Sequence, residues 1–281
     1  MTKLTDFKQN KSIKVKGKLI DLSYPKIMGI LNITPDSFYA KSRIAKIDDL
    51  LLKANDMILN GAEILDIGGI STRPGAQQLS KKDELNRILE PAKILRKEFP
   101  HILISLDTYN SETAQIGLNE GIDIINDISS GVIDDKLFSI IATNKCPYIL
   151  THSNGMADTK FISNESENII QNLIHFFSEK INHLHQVGII DIVIDPGFGF
   201  GKTIEQNFEI LRNFEMLKIL NKPILIGVSR KSMIYKKLEI LADESINGTS
   251  ALHAVLLDRG ANIFRVHDVQ EMHQIRTLLT L

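Results

Sequence analysis

The sequence predicts a single-domain (β/α)8 barrel, and three observations carry the prediction. Eight short apolar, β-branched runs recur along the chain, continuous rather than alternating, as strands buried on both faces require. Segments with apolar residues at helical spacing lie between them. The length, 281 residues, suits one such barrel. An open doubly wound sheet is the rival architecture, and the count of eight favours the barrel.

Taken in order, the elements read as follows. Within residues 1–25, "IKVKGKLIDL" reads as a hairpin covering the barrel bottom. This divides the chain into an N-terminal extension, 1–25, and a barrel, 26–281. "KIMGIL" (26–31) is the first barrel strand. "IDDLLLKANDMILNGA" follows with helical periodicity and stops at Gly61, a good C-terminal cap. "EILDI" (63–67) and "ILISL" (102–106) are the second and third strands. "NSETAQIGLNEG" opens with cap residues and ends at Gly121. "DIIND" (123–127) and "PYILT" (147–151) follow, and then the long amphipathic "ENIIQNLIHFFSEKINHLHQVG", closed by Gly188. "DIVID" (191–195), "PILIGV" (223–228) and "NIFRV" (262–266) complete the set, with the helix "NGTSALHAVLLDRG" before the last.

Composition narrows the function classes. Hydrophobic content of 43% and charged content of 24% are ordinary for a globular chain. A net charge of −1 argues against a nucleic-acid partner held by bulk electrostatics. The single cysteine, Cys146, cannot form an internal disulfide, which fits a reducing cytoplasm. It reads as an inert thiol at a strand entrance. The first 22 residues lack the apolar core of a signal peptide. No apolar run reaches the roughly 18 residues of a membrane span. No stretch reads as a linker, which supports one domain.

"DPGFGFGKT" (195–203) resembles a phosphate loop but fails on spacing. A P-loop needs its first glycine at position 196, which is Pro196. The dinucleotide fingerprint fails too, because Lys202 stands where its third glycine belongs. Lys202 and Thr203 instead read as the start of a helix.

In a barrel, chemistry collects where strands end at the C-terminal face. The exits here are polar throughout. The first leads to Asn32, and the second carries Asp66 and leads into "GGISTRPGA". The third ends at Asp107, the fourth at Asn126 and Asp127, the fifth at His152 and the sixth at Asp195. The seventh leads to Ser229, Arg230 and Lys231, and the eighth supplies Arg265 and His267. Together they predict one site at the mouth. Arg265 and His267, two apart, face the same way. With Arg73 they would form a cationic clamp for phosphate. Asp107, Asn126, Asp195 and Lys231 suit a flat, nitrogen-rich heterocycle. His175, His183 and His185 read as the solvated surface of an outer helix rather than as metal ligands.

Seven motifs, in register from about residue 26 to 270, together resemble the dihydropteroate synthase family: "IMGILNITPDSF", "EILDIGGISTRPGA", "ISLDTYNSETA", "DIINDISSG", "DPGFGFGKTIEQNFEIL", "IGVSRKSMI" and "GANIFRVHDV". The resemblance implies a (β/α)8 barrel, usually a homodimer, that serves folate biosynthesis. It implies condensation of 6-hydroxymethyl-7,8-dihydropterin diphosphate with 4-aminobenzoate, releasing pyrophosphate and 7,8-dihydropteroate. It assigns the pterin to Asp107, Asn126, Asp195 and Lys231, with Arg265 packed over its face. It assigns the pyrophosphate to Asn32, Arg73, Arg265 and His267, with Asn32 giving an oxygen to Mg²⁺. It assigns the aminobenzoate to Thr72, Arg73, Pro74, Phe200, Ser229 and Lys231. The catalytic set would be Asp107, Lys231, Arg265 and His267.

Two segments depart from the family pattern. "YAKSR" (39–43) replaces the usual Ser-Asp-Gly-Gly, removing flexible glycines. "THSNGMADT" (151–159) puts Thr151 where a methionine is expected to line the pterin pocket. Ile70 stands where many members have glutamate. The two larger departures resemble a sulfonamide-insensitive branch. Three other readings stay open: a pterin-binding methyltransferase, a catalytically silent paralogue and a P-loop enzyme. The "STRP" loop and the Arg265–His267 pair count against the first. The intact polar exits count against the second, and loop spacing against the third.

Overall fold

The computed structural model describes residues 9–33, 43–69, 80–154 and 168–280. Among the described residues, eight parallel strands form one sheet in the order β8-β7-β6-β5-β4-β3-β10-β9. They are β3 (Lys26–Asn32), β4 (Ile64–Gly68), β5 (Leu103–Asp107), β6 (Ile124–Asp127), β7 (Tyr148–Thr151), β8 (Ile192–Asp195), β9 (Leu225–Ile226) and β10 (Ile263–Val266). A bridge from Ile194 to Ile224 brings β8 to the start of β9 and closes the barrel. Helices form the outer layer: α1 (Arg43–Leu59), α2 (Lys81–Glu98), α3 (Ser111–Asn119), α4 (Lys136–Asn144), α5 (Ile169–Gln186), α6 (Ile204–Arg212), α7 (Ser232–Leu238), α8 (Ile246–Asp258) and α9 (Val269–Leu279). None of the described helices is long and apolar enough to cross a membrane.

The seam at β9 is short for a chemical reason. Pro223 has no N–H to give the ladder, although its carbonyl accepts from Ile194 N at 2.9 Å. Asn262 fills the gap. Its Oδ1 accepts from Ile224 N at 2.9 Å, and its Nδ2 donates to Leu22 O at 3.1 Å. One buried amide thus ties the seam to the N-terminal segment.

That segment is an antiparallel hairpin of β1 (Ser12–Val15) and β2 (Lys18–Asp21). Lys16 and Gly17 make its two-residue turn, both at positive φ (45° and 86°), as a tight hairpin with right-handed strand twist requires. Ile13 and Val15, with Leu22 just beyond β2, pack in one buried cluster with Met28, Ile64, Ile124, Ile149, Val193 and Ile263. These barrel residues share the inner face of their strands, so the cluster forms a dry floor.

Side chains alternate faces along a strand, so residues two steps further along line the next interior layer. There the character switches on six of the eight strands, while Ile30 and Gly227 carry no polar group. Ile64 gives way to Asp66, Leu103 to Ser105, Ile124 to Asn126, Ile149 to Thr151, Val193 to Asp195 and Ile263 to Arg265. One more step along β5 is Asp107. The outward positions, such as Leu65, Ile67, Ile104, Ile125 and Leu150, join the larger core beneath the helices. The fold therefore presents a sealed apolar bottom and a buried polar layer that opens only towards the strand ends.

Candidate active site

The organising group at the mouth is Arg265. Its Nε donates to Asp66 Oδ2 at 2.7 Å and its Nη2 to Asp107 Oδ2 at 3.0 Å. The guanidinium fork suits two carboxylates on neighbouring strands. Burial works against the Arg265 charge, but attraction from Asp66 and Asp107 outweighs it and raises its pKa. Asp66 also accepts from Asn126 Nδ2 at 3.3 Å. Asp107 is pushed up to about 7, first by burial; Arg265 opposes, and repulsion from Asp66 and Asp127 adds to the rise. This carboxyl therefore changes charge near neutral pH.

A second cluster faces it from β8. Asp195 Oδ1 accepts from Gly197 N at 2.7 Å. Burial raises the Asp195 pKa, against Lys231, the Gly197 amide, Lys202 and Arg265. Lys231 donates through Nζ to Phe198 O and lies 4.4 Å from the centroid of the Phe200 ring. Burial lowers the Lys231 ammonium to about 8, although Asp195 pulls the other way. Phe198 is fully buried in the core, whereas Phe200 is partly open at the mouth. Ser229 Oγ lies 3.1 Å from His267 Nδ1 and accepts from His267 N at 3.2 Å. His267 is exposed at the rim.

The structure thus gathers Asp107, Asn126, Asp195, Phe200, Ser229, Lys231, Arg265 and His267 around one opening. Asn32 is exposed at the end of β3 on the side that carries Met28. Thr72, Arg73 and Pro74 lie outside the described residues, as do Ile70, residues 39–42 and residues 155–159.

Two strand-exit residues read as lining the mouth point the other way. Asp127 faces the helix layer. It accepts from Ser129 N and Gly131 N, each at 2.7 Å, and from the Tyr148 hydroxyl at 2.8 Å. It is a loop anchor. His152 is fully buried, with its ring edge-on to Phe176 of α5 at 4.8 Å between centroids. Strand alternation explains both, since Asn126 and Thr151 take the inward positions next to them. Arg230 also turns aside, to Asp268 at 2.6 Å and Asp243 at 3.2 Å.

His175, His183 and His185 are exposed along α5. Cys146 is buried, which pushes its thiol up to about 12 and leaves it unreactive. Thr203 caps α6 in a reciprocal box with Gln206. Lys202 does not join the helix; its Nζ turns back onto the carbonyls of Gly197 at 2.8 Å and His152 at 3.1 Å. Asp66 and Ser105 complete the polar layer without having stood out as binding groups in the sequence. Their signal was there: each lies an even number of residues before a recognised inward group or after a floor residue.

Known proteins resemble this chain over most of its length. Residues 28–267 match the family described as pterin binding enzyme. The dihydropteroate synthase of Synechocystis sp. is 40% identical over 252 residues, spanning 89% of this chain and 87% of its own. The solved structure of Xanthomonas albilineans dihydropteroate synthase with 4-aminobenzoic acid superposes with a TM-score of 0.86 at 29% identity, covering 96% of this chain and 97% of that one. A structure of the Xanthomonas enzyme in complex with 7,8-dihydropteroate gives 0.82 at 27% identity, covering 95% and 97%. The barrel, its polar mouth and these likenesses agree: the chain belongs to the dihydropteroate synthase family of pterin-binding enzymes.

Proposed function

We propose that this protein joins 6-hydroxymethyl-7,8-dihydropterin diphosphate to 4-aminobenzoate, giving 7,8-dihydropteroate and pyrophosphate. The observation that carries the reading is the buried polar layer above a dry floor. Asp66, Asn126 and Asp195 offer acceptors at depth, while Arg265 and Lys231 bring cations over them. A flat aminopyrimidine edge needs acceptors for its N–H groups, and Asp195 and Asn126 supply them. Asp107 and Arg265 stand nearer the opening, where the exocyclic methylene would lie.

The reaction breaks the methylene C–O bond, and the bonding pair leaves with the diphosphate. The ring nitrogens share the resulting positive charge. The amine of 4-aminobenzoate then forms the C–N bond and loses a proton. The costly step is charge separation, and fixed charges in a desolvated site reduce that cost. Asp107, once ionised, stabilises the cation. Arg265 and His267 face the departing anion, with Arg73 as a third contributor. Phe200 and Lys231 form a stacked wall for the aromatic ring beside Ser229, and Thr72 and Pro74 are assigned to the same substrate by the family resemblance alone. The dry floor keeps water from the cation on that side.

Mg²⁺ fits this donor set. Asn32 offers an amide oxygen, a hard ligand, at the strand end. Among the described residues no group of three or more His, Cys, Asp and Glu could cage a metal. A single amide oxygen would leave the remaining positions of a magnesium ion to substrate phosphates and water. When bound, the ion would neutralise charge on the diphosphate oxygens. The protein is read as acting in the cytoplasm as a homodimer.

Calorimetric titration with the dihydropterin diphosphate tests the pterin assignment. Binding to the native protein should weaken by a factor of about 10 to 100 in Asp195→Asn, the loss of a charge-assisted hydrogen bond. Equal affinity would move the heterocycle elsewhere.

A further inference from the structure

We propose that Lys202 is a positioning residue: its side chain clamps the loop after β8 and so fixes the spacing between Asp195 and Phe200. The inference rests on the functional reading above, in which those two residues serve different substrates.

The geometry is specific. Lys202 Nζ donates to Gly197 O at 2.8 Å and His152 O at 3.1 Å, and reaches Phe200 O at 3.5 Å. Two of these carbonyls belong to the glycine loop and the third to the exit of β7, so one ammonium joins two strand ends. The loop has no slack beneath it. Gly197 adopts φ +66°, and a Cβ there would stand 1.9 Å from His152 O. Gly197 N is the donor to Asp195 Oδ1, and Phe198 O is the acceptor for Lys231. Gly199 N is held in turn by Asn207 Oδ1 at 2.7 Å. Moving the Gly197 carbonyl would therefore shift the partner of Asp195, the seat of Lys231 and the ring of Phe200 together. Burial lowers the Lys202 ammonium to about 7, although the Asp195 carboxylate opposes this, and the amine keeps N–H donors for the carbonyls in either protonation state. Carbonyl clustering without a donor at its centre would be unfavourable.

The test uses Lys202→Met, which keeps length and removes the donors, and Lys202→Ala, which opens a space for a small amine. Lys202→Met should lower kcat/KM by about 10- to 100-fold. The KM for 4-aminobenzoate should rise more than that for the pterin diphosphate, because Phe200 is farther along the loop than Asp195. Hydrogen exchange of amides 197–201 should speed up at least tenfold, with the melting curve of the barrel little changed. Ethylammonium should restore at least tenfold of the turnover lost in Lys202→Ala. Tetramethylammonium, which has charge but no N–H, should not.

Kinetics within threefold of the native protein, or intact loop protection in a folded Lys202→Met, would overturn the proposal. So would equal rescue by both cations, or none by either. Loop exchange does not depend on the substrates. A native protein without turnover therefore faults the functional reading, while exchange still decides the clamp.

Discussion

Asp66→Asn probes the linkage at the centre of the mouth. The substitution keeps the size and an acceptor oxygen but removes the charge. The Asp66 side chain is fully buried and that of Arg265 is 20% exposed, so their 2.7 Å contact is poorly screened. Removing one partner of a buried pair outright costs about 3–5 kcal/mol. Here Arg265 keeps Asp107 at 3.0 Å, and the asparagine oxygen can still accept. The loss falls to the difference between a charged and a neutral hydrogen bond, about 1 kcal/mol. That corresponds to roughly a 5-fold lower kcat/KM. A second effect has a definite sign. Asp66 repels charge on Asp107 and helps to hold its pKa near 7, whereas Arg265 draws it down. Without the Asp66 charge, Asp107 should ionise at lower pH. Steady-state rates from pH 5 to 9 should therefore show a weaker enzyme whose acid limb has moved below that of the native protein. An unchanged limb with unchanged rate would show that Asp66 and Asp107 do not act through Arg265.

Three further outcomes follow from the same contacts. Gly197→Ala adds a Cβ 1.9 Å from His152 O at a residue with φ +66°, so the loop must shift; kcat/KM should fall about 100-fold or more, and a native-like rate would contradict the fixed loop. Tyr148→Phe removes one of three donors to the buried Asp127 carboxylate and should lower stability by about 1–2 kcal/mol in urea titration, while an unchanged midpoint would remove Asp127 as an anchor. Asp107 has its pKa raised from 3.8 to about 7, so the folded state binds its proton more tightly than the unfolded one. Stability should fall as pH rises from about 4 to 7, and Asp107→Asn should flatten that slope; a slope equal to that of the native protein would place the titration elsewhere.

The barrel was legible because its signal is repeated. Each parallel strand is buried on both faces and reads as an unbroken apolar run, so a weak local pattern becomes strong when counted eight times. Helix ends such as Gly61 and Gly188 were legible through the positive φ they adopt, +106° and +91°. Helix α2 left less trace, because Pro91 lies inside it and its sequence is rich in charge. The strand within "PILIGV" was legible but the shortness of β9 was not, since only the seam shows that Asn262 replaces part of a ladder. At the mouth, the sequence marks polar residues near strand ends but not which face they take. Asp127 and His152 sit beside Asn126 and Thr151, and one residue of offset sends each into the helix layer. Lys202 looked like the start of a helix, because a long side chain can double back onto carbonyls that lie close only after folding.

The condensation itself can be observed in one assay. The direct measurement is to incubate the purified protein with the dihydropterin diphosphate, labelled 4-aminobenzoate and Mg²⁺, and to identify the products by mass. Labelled 7,8-dihydropteroate and pyrophosphate should form in equal amounts, with most of the rate lost in Lys231→Ala. A folded protein that yields neither product would contradict it and leave the chain a binding member of its family.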